Sequence, residues 1–393
     1  MRVLMLTTSW PLCDGDWRGG FVMDLCRDLA ASSIDVDVAV PAPAASCIPE
    51  GFDSALPIAG VTVHWLPRLI QFRSRAFHQS GLEANLRKRP WSALSMGPVL
   101  GAFAAECSLL AVRADVIVSN WLLPMGAVGA TVAGVTGRPH LVIAHSAPAG
   151  PAAIPPVSTV VRKVIESADS VACVSESVLE STAAIAGPEL ARKLKVIRLG
   201  IDLVPVVLHR PSSRPFEIAF SGRIVPIKGA DILVRAAAGI PGCRLVIVGD
   251  GPGLQYLRLL SARLGVNADF VGELSRQDAR KRIAMADVVV IPSRKGLLGR
   301  QEGLPRVLVE AWAAGVPVVA SRSGGMTEVM DGQGGGILFD PGDVEGLRRI
   351  LAGLASDPHR LAGLRAQAIT RAAEFDAGVA AAAWAQWIRG ACS

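Results

Sequence analysis

A chain of 393 residues exceeds what one hydrophobic core usually organises, so two domains are expected, and a composition that is 51% apolar lets each bury a sizeable core. Seven cysteines at positions 13, 26, 47, 107, 173, 243 and 392, odd in number and without a C-x-x-C pair, argue against a disulfide framework or a structural zinc and for a reducing cytosol. The net charge of +6 is uneven: residues 1–205 hold 17 Lys/Arg against 17 Asp/Glu and residues 206–393 hold 23 against 17, while one Tyr and no stripe of cations interleaved with aromatics argue against a nucleic-acid partner.

The first strand is expected over 2–7. The apolar stretch at its start stops at Thr7-Thr8-Ser9, too short for a signal segment, and no apolar run nears the ~18 residues needed to span a bilayer, so a cytoplasmic location is expected. A loop then leads to Gly19-Gly20 and a helix over 21–31, whose Val22, Leu25, Cys26 and Leu29 recur at i, i+3, i+4 and i+7. Glycines at that helix start either let backbone N–H groups approach a phosphate or serve a purely steric turn. The strand over 34–40 alternates strictly. Its Asp35 and Asp37 imitate a D-x-D metal motif, but period two puts both on one wet face near the strand's beginning, whereas ligands of open α/β sheets gather at carboxyl ends; no metal is expected.

Between 68 and 91 the chain turns basic: Arg68, Arg73, Arg75, Arg87, Lys88 and Arg89 face the single acid Glu83, among Leu69, Ile70, Phe72, Phe77 and Trp91. Such a segment either lies on an anionic membrane surface, each cation contributing about 1 kcal/mol, or forms a solvated loop and helix edge. A strand over 115–120, a helix over 122–135 and a strand over 141–144 follow, the last ending at His145-Ser146 and the run Pro148-Ala149-Gly150-Pro151. His145 is either a site residue at a strand's carboxyl end or a histidine satisfied by its own loop. Segments 168–175 and 195–202 close a first domain of 1–205. The linker over 204–215 is marked by Pro205, Pro211, Ser212, Ser213 and Pro215.

A second domain, 206–372, opens with a strand over 217–220 and then Gly222-Arg223, with Lys228-Gly229 five residues on. A planar fork and a compact charge between strand and helix can both reach a diphosphate. Gly249-Asp250-Gly251-Pro252-Gly253 tempts a dinucleotide reading, yet the third glycine of G-x-G-x-x-G would fall at Leu254, and any strand-to-helix turn of this kind uses glycines. Strands are expected near 270–274 and 287–292, and a terminal helix over 378–388 carries Trp384 and Trp387 as core residues. The densest stretch is 293–325. Pro305 suits a first helical position and Gly315 with Pro317 its end, giving a helix over 305–314 whose N-terminus can hold a phosphate. Glu302 precedes that helix and Glu310 lies about a turn and a half inside it. Carboxylates are odd partners for phosphate but good acceptors for sugar or ribose hydroxyls. Glu310 can equally form a surface ion pair with Arg306, four residues away.

The E-x7-E spacing with Gly303 and Pro305 inside it, the following A-x-A-A-G-V-P-V-V-A-S, Gly324-Gly325-x-x-Glu328 and the G-R-x-x-x-x-K-G at 222–229 resemble the retaining group 1 (glycogen-synthase-like) glycosyltransferases. The resemblance is strong over the second domain and weak over the first. It implies an α/β chain with two Rossmann-like domains facing a cleft (GT-B) and residues 373–393 packing back on the first domain. It implies a nucleotide-sugar donor held by Gly19, Gly20, Arg223, Lys228, Leu274, Glu302, Gly303, Leu304, Pro305, Arg306 and Glu310, and catalysis by Glu302, Arg223, Lys228 and His145. In that reading His145 faces the reacting sugar, although Ser146 replaces the family's usual glycine. Neither cofactor nor metal is implied, and the acceptor is an unnamed hydroxyl, with a peripheral membrane location open through 68–91. A nucleotide-sugar epimerase on the same fold, or a non-catalytic nucleotide-sugar binder, would use the same donor-side residues; only transfer needs an acceptor.

Overall fold

A computed structural model of the chain describes residues 1–13, 16, 18–43, 58–67, 92–146, 155–203, 214–294 and 303–392. Glu302, the basic segment 68–91, the proline-rich run after Ser146 and most of the linker lie outside these residues. Two compact units form. One comprises Met1–Val174, Val178–Leu199 and Gly378–Ser393, the other Ser175–Ser177 and Gly200–Ala377. The changeover falls at Leu199–Gly200 rather than at 205 because Ile201 N donates to Phe375 O at 2.9 Å, bridging the two ends of the second unit.

The first unit is a seven-stranded, all-parallel sheet in the order β3-β2-β1-β4-β5-β6-β7. Its strands are β1 (Arg2–Leu6), β2 (Asp35–Pro41), β3 (Val61–Leu66), β4 (Val116–Asn120), β5 (His140–Ala144), β6 (Ser170–Cys173) and β7 (Leu194–Val196). Central strands are near-continuous apolar runs because helices cover both faces; β4 and β5 are buried throughout. β3 lies at the sheet edge and is not among the strands expected from the sequence, although Val61-Thr62-Val63-His64 alternates. Asp37 accepts from His64 Nε2 at 2.7 Å and lies 3.7 Å from Arg2 Nε, so the D-x-D imitation is a cross-strand ion pair. The helices are α1 (Gly20–Ala31), α2 (Ser92–Ala111), α3 (Ala127–Thr136), α4 (Val157–Ser167) and α5 (Glu176–Ala186). α3 starts five residues later than expected because Leu123 is extended (φ −135°, ψ 143°) ahead of Pro124, leaving only a wide turn over Leu122–Gly126.

The second unit repeats the plan with six parallel strands in the order β10-β9-β8-β11-β12-β13. They are β8 (Phe216–Ser221), β9 (Cys243–Val248), β10 (Ala268–Gly272), β11 (Val288–Ile291), β12 (Val318–Ser321) and β13 (Gly336–Phe339). Its helices are α6 (Ala230–Ala237), α7 (Leu254–Arg263), α8 (Arg276–Ala284), α9 (Arg306–Ala313), α10 (Gly325–Met330), α11 (Val344–Ser356) and α12 (Pro358–Ala372). One apolar cluster fills each face of this sheet, and two more fill the faces of the first.

The last helix, α13 (Ala377–Arg389), belongs to the first unit. Trp384 Nε1 donates to Arg198 O and Trp387 Nε1 to Ser170 Oγ, each at 3.0 Å, and both rings are buried. Burying a large apolar side chain stabilises by about 1.5–3 kcal/mol. Among the described residues no helix is long and apolar enough to cross a membrane.

Candidate functional site

In a doubly wound sheet, ligands bind outside the carboxyl ends of the strands where the strand order reverses. In the second unit that point lies between β8 and β11. The loop after β8 carries Arg223 and, in a tight turn over Pro226–Lys228, Lys228. Glycines hold this loop by close backbone approach. A Cβ on Gly249 would stand 2.1 Å from Gly222 O, and one on Gly251 2.4 Å from Ile224 O, at positive φ in both cases. Ile224 N donates to Asp250 O at 2.8 Å and Gly253 N to Ile224 O at 3.1 Å. The G-D-G-P-G stretch is therefore the bed on which the Arg223 loop lies. On the other side Gly229, at φ +65°, caps α6 so close to Pro292 that a Cβ would lie 1.9 Å from its carbonyl oxygen. Arg294 N donates to Ile227 O at 2.8 Å, and the Arg294 guanidinium pairs with Asp231.

After β11 the chain returns at Gly303 and Leu304 and enters α9. Pro305 is the N-cap (φ −66°, ψ 127°), one position earlier than the first helical place expected for it, and Gly315 ends the helix at φ +63°. The first N–H groups of an α-helix have no partner within it and carry partial positive charge, which suits Arg306 and its neighbours to an anion. Gly325, at the start of α10, packs so closely that a Cβ would lie 3.0 Å from Gly303 O and from Leu304 N. Leu274 stands in the loop after β10, beside Ser275, whose Oγ accepts from Asp278 N at 3.1 Å to cap α8. Arg223, Lys228, Leu274, Gly303, Leu304, Pro305 and Arg306 thus all stand beyond the carboxyl ends of one sheet. Glu310 is nearly enclosed, 11% exposed, and its partners are not Arg306 but Arg276 Nε at 3.4 Å and Arg280 Nε at 3.3 Å, both from α8. Nothing in the spacing of the sequence pointed to these two arginines, which meet Glu310 only through the crossover that lays α8 beside α9.

The first unit has its reversal between β1 and β4. The loop after β1 is organised by Asp16, 3% exposed, which accepts from Leu12 N and Arg18 N at 3.0 Å and pairs with Arg18 Nη1 at 3.2 Å. Gly19 is required twice over: φ is +70°, and a Cβ would lie 2.5 Å from Ser9 O. A Cβ on Gly20 would meet nothing within 4 Å, so its missing side chain leaves open space at the start of α1. His145, after β5, stands between Phe21 and Trp121, with ring centroids 4.8 and 5.2 Å away. Its Nε2 lies 2.8 Å from Asn120 Oδ1, and its Nδ1 is sealed from solvent without a hydrogen bond. Burial pushes its pKa down to about 3. Asn120, Trp121 and Phe21, which surround His145, were not among the residues singled out from the sequence. Their signal was position: Asn120 and Trp121 end the strand beside His145's, and Phe21 follows the glycine pair. A cavity of about 540 Å³ in this unit, lined by Leu141, Asp169, Ser170, Lys195 and Trp387 among others, lies by the amino ends of β5 and β6, at the other end of the sheet from His145.

Two doubly wound units, one with a glycine-held pair of cations and a helix N-terminus at its strand ends, define a chain of two Rossmann-like domains. The description "Glycosyl transferases group 1" matches residues 209–375, and "Glycosyl transferase 4-like domain" matches residues 19–200. The chain is 33% identical over 260 residues to a GDP-mannose-dependent alpha-(1-6)-phosphatidylinositol monomannoside mannosyltransferase of Mycolicibacterium smegmatis, covering 61% of this chain and 67% of that protein. It is 39% identical over 188 residues to D-inositol 3-phosphate glycosyltransferase 2 of Catenulispora acidiphila, covering 43% of this chain and 42% of that one. A monoacylated monomannoside mannosyltransferase of Corynebacterium glutamicum matches at 38% over 154 residues, 38% of this chain and 40% of its own length. Among solved structures, Anabaena HepE in complex with UDP superposes with a TM-score of 0.73 at 22% identity, covering 99% of this chain and 100% of that one. Sucrose-phosphate synthase from Thermosynechococcus elongatus gives 0.79 at 21%, covering 99% and 98%. The chain belongs to the group 1 glycosyltransferases, and its fold is GT-B.

Proposed function

We propose that the protein is a retaining, metal-independent glycosyltransferase that moves a hexosyl group from a nucleoside-diphosphate sugar to a hydroxyl acceptor. The observation that carries this reading is the Arg223–Lys228 turn, locked between Gly249 and Gly251 on one side and Pro292 on the other. A departing diphosphate gains charge in the transition state, and cations held rigidly where that charge grows stabilise it more than they stabilise the bound donor. Arg223 offers a planar fork, Lys228 a point charge and the N-terminus of α9 its backbone N–H groups; together these take the place a divalent cation would fill. Glu302 accepts from hydroxyls of the reacting sugar, and Glu310 from those of the ribose. His145, neutral, faces the reacting sugar.

A relative named as GDP-mannose-dependent makes a GDP-hexose the first donor to test, and the phosphatidylinositol monomannoside and D-inositol 3-phosphate in the relatives' names make a cyclitol or glycolipid hydroxyl the first acceptor class. The protein is a peripheral one in this reading, meeting an anionic surface through 68–91. The test is incubation with a panel of nucleotide sugars in excess chelator, with and without acceptor, followed by NMR of the product. Transfer with the anomeric configuration kept is expected. A sugar nucleotide epimerised without acceptor, or bound and left intact, would replace the reading with an epimerase or a binding protein. Loss of activity that Mg²⁺ restores would overturn its metal-independent part.

A further inference from the structure

We propose that Arg276 and Arg280 are positioning residues of the donor site: they turn Glu310 from a carboxylate that would repel a nucleoside diphosphate into a net-positive trio that accepts a hydroxyl beside one. The inference rests on the reading of Glu310 as the ribose acceptor. An anion-binding helix with a carboxylate in its second turn is an electrostatic contradiction. Glu310 is the fifth residue of α9, roughly 6–7 Å along the axis from the N-terminus, so its charge works against an anion held there. The structure resolves this with two guanidiniums from α8. Both approach the same oxygen, Oε1, through their Nε atoms, at 3.4 and 3.3 Å.

Two consequences follow from that geometry. One carboxylate and two permanently charged guanidiniums leave the trio at +1. Oε2 takes neither bond, so one lone-pair face of the carboxylate remains for a ligand hydroxyl while the other is pinned. The trio is also largely screened from water, with side-chain exposures of 28%, 19% and 11% for Arg276, Arg280 and Glu310, so its charges act at low dielectric. Arg280 adds a further feature: its Nη2 is enclosed without a hydrogen bond. A buried donor left unmade is unfavourable, and a ligand oxygen arriving beside Glu310 would satisfy it. The competing view is that the arginines merely staple α8 to α9.

The test is titration calorimetry with GDP and with UDP, using whichever nucleotide the wild-type protein binds, on Glu310→Gln, Arg276→Gln/Arg280→Gln and the triple variant, with a melting temperature for each. The double variant should weaken binding ten- to a hundredfold, because it strands an uncompensated carboxylate at the site. Adding Glu310→Gln to it should then restore part of the affinity by removing that charge. A staple predicts a lowered melting temperature with Kd within twofold, or losses in the triple variant that simply multiply; either result overturns the proposal. Should the double variant not fold, Arg280→Lys against Arg280→Gln decides: the lysine should hold Kd within about threefold of wild type and the glutamine should not, and equal Kd values overturn it. Failure of the wild-type protein to bind either nucleotide would overturn the functional reading itself, whereas normal wild-type binding with indifferent arginine variants overturns the positioning role alone.

Discussion

His145 donates through Nε2 to Asn120 Oδ1 at 2.8 Å, while Asn120 Nδ2 donates to Leu6 O at 3.0 Å. The second bond orients the amide, so the oxygen faces the histidine and the ring proton sits on Nε2. Nδ1 is then the bare acceptor, enclosed against Phe21 and Trp121. With its pKa lowered to about 3 by burial, the ring stays neutral at physiological pH. Nitrogen-resolved NMR of the wild-type protein should show the Nε2–H tautomer and no His145 titration between pH 5 and 8. Asn120→Asp should raise the pKa by placing a carboxylate beside the ring, bringing a titration into view; an unchanged ring would mean the Asn120 bond does not set its state.

Arg223 and Lys228 should fail in turnover rather than in folding. Their loop is held by backbone contacts of glycines, so Arg223→Ala and Lys228→Ala should still fold to a cooperatively melting protein. Loss of one charge-assisted contact to the leaving diphosphate typically costs about 3 kcal/mol, two to three decades in rate. Near-normal kcat in both variants would contradict the assignment.

The two glutamates should separate by kinetic parameter. If Glu302 acts on the reacting sugar, its contacts sharpen as that sugar gains positive character, and Glu302→Gln lowers kcat more than it raises KM. If Glu310 holds the ribose, its contacts are alike in ground and transition states, and Glu310→Gln mainly raises KM for the donor. A hydrogen bond to a charged group is worth about 1.5–3 kcal/mol, roughly one to two decades, so steady-state kinetics with varied donor resolves both effects.

His140 gives a stability prediction with a definite sign. It is buried, its Nε2 lies 2.9 Å from Ser119 Oγ, and burial lowers its pKa to about 4, against a smaller opposing influence from Asp169. The unfolded chain binds a proton at this histidine below pH ~6.5 and the folded one does not. Its contribution is therefore fully present above pH ~6.5 and declines as pH falls toward about 4, by roughly 1.4 kcal/mol per unit. Urea unfolding at pH 7.5 and 5.0 should show a smaller acid loss in His140→Gln than in the wild type.

Gly129 of α3 faces that same pair, and a Cβ there would fall 2.1 Å from Ser119 Oγ and 2.3 Å from His140 Nε2. Gly129→Ala should therefore destabilise by about 1–3 kcal/mol, the range for overpacking a core, despite alanine's better helix propensity. Gly134, on the same helix with nothing within 4 Å, is the control, and Gly134→Ala should be neutral or stabilising in the same melt.

The sequence by itself determined the repeated strand–helix alternation, two parallel-sheet domains and the loops that carry cations and glycines, because period-two and 3.6-residue patterns, proline and glycine act over a few residues. It also determined the family, through the linked spacing of Arg223, Lys228, Gly303, Pro305 and Glu310. What it left undecided was who meets whom across strands. The edge strand β3 was overlooked because a half-buried edge needs no continuous apolar run, and Asp37 found its partners in Arg2 and His64, on neighbouring strands. Only the tertiary structure decided that Gly249 and Gly251 support the Arg223 loop rather than a dinucleotide, that Asn120 sets the tautomer of His145, and that Glu310 answers to Arg276 and Arg280 instead of Arg306. Those contacts join segments about 25 to 35 residues apart, and a local pattern holds no information about a distance that crossover connections set.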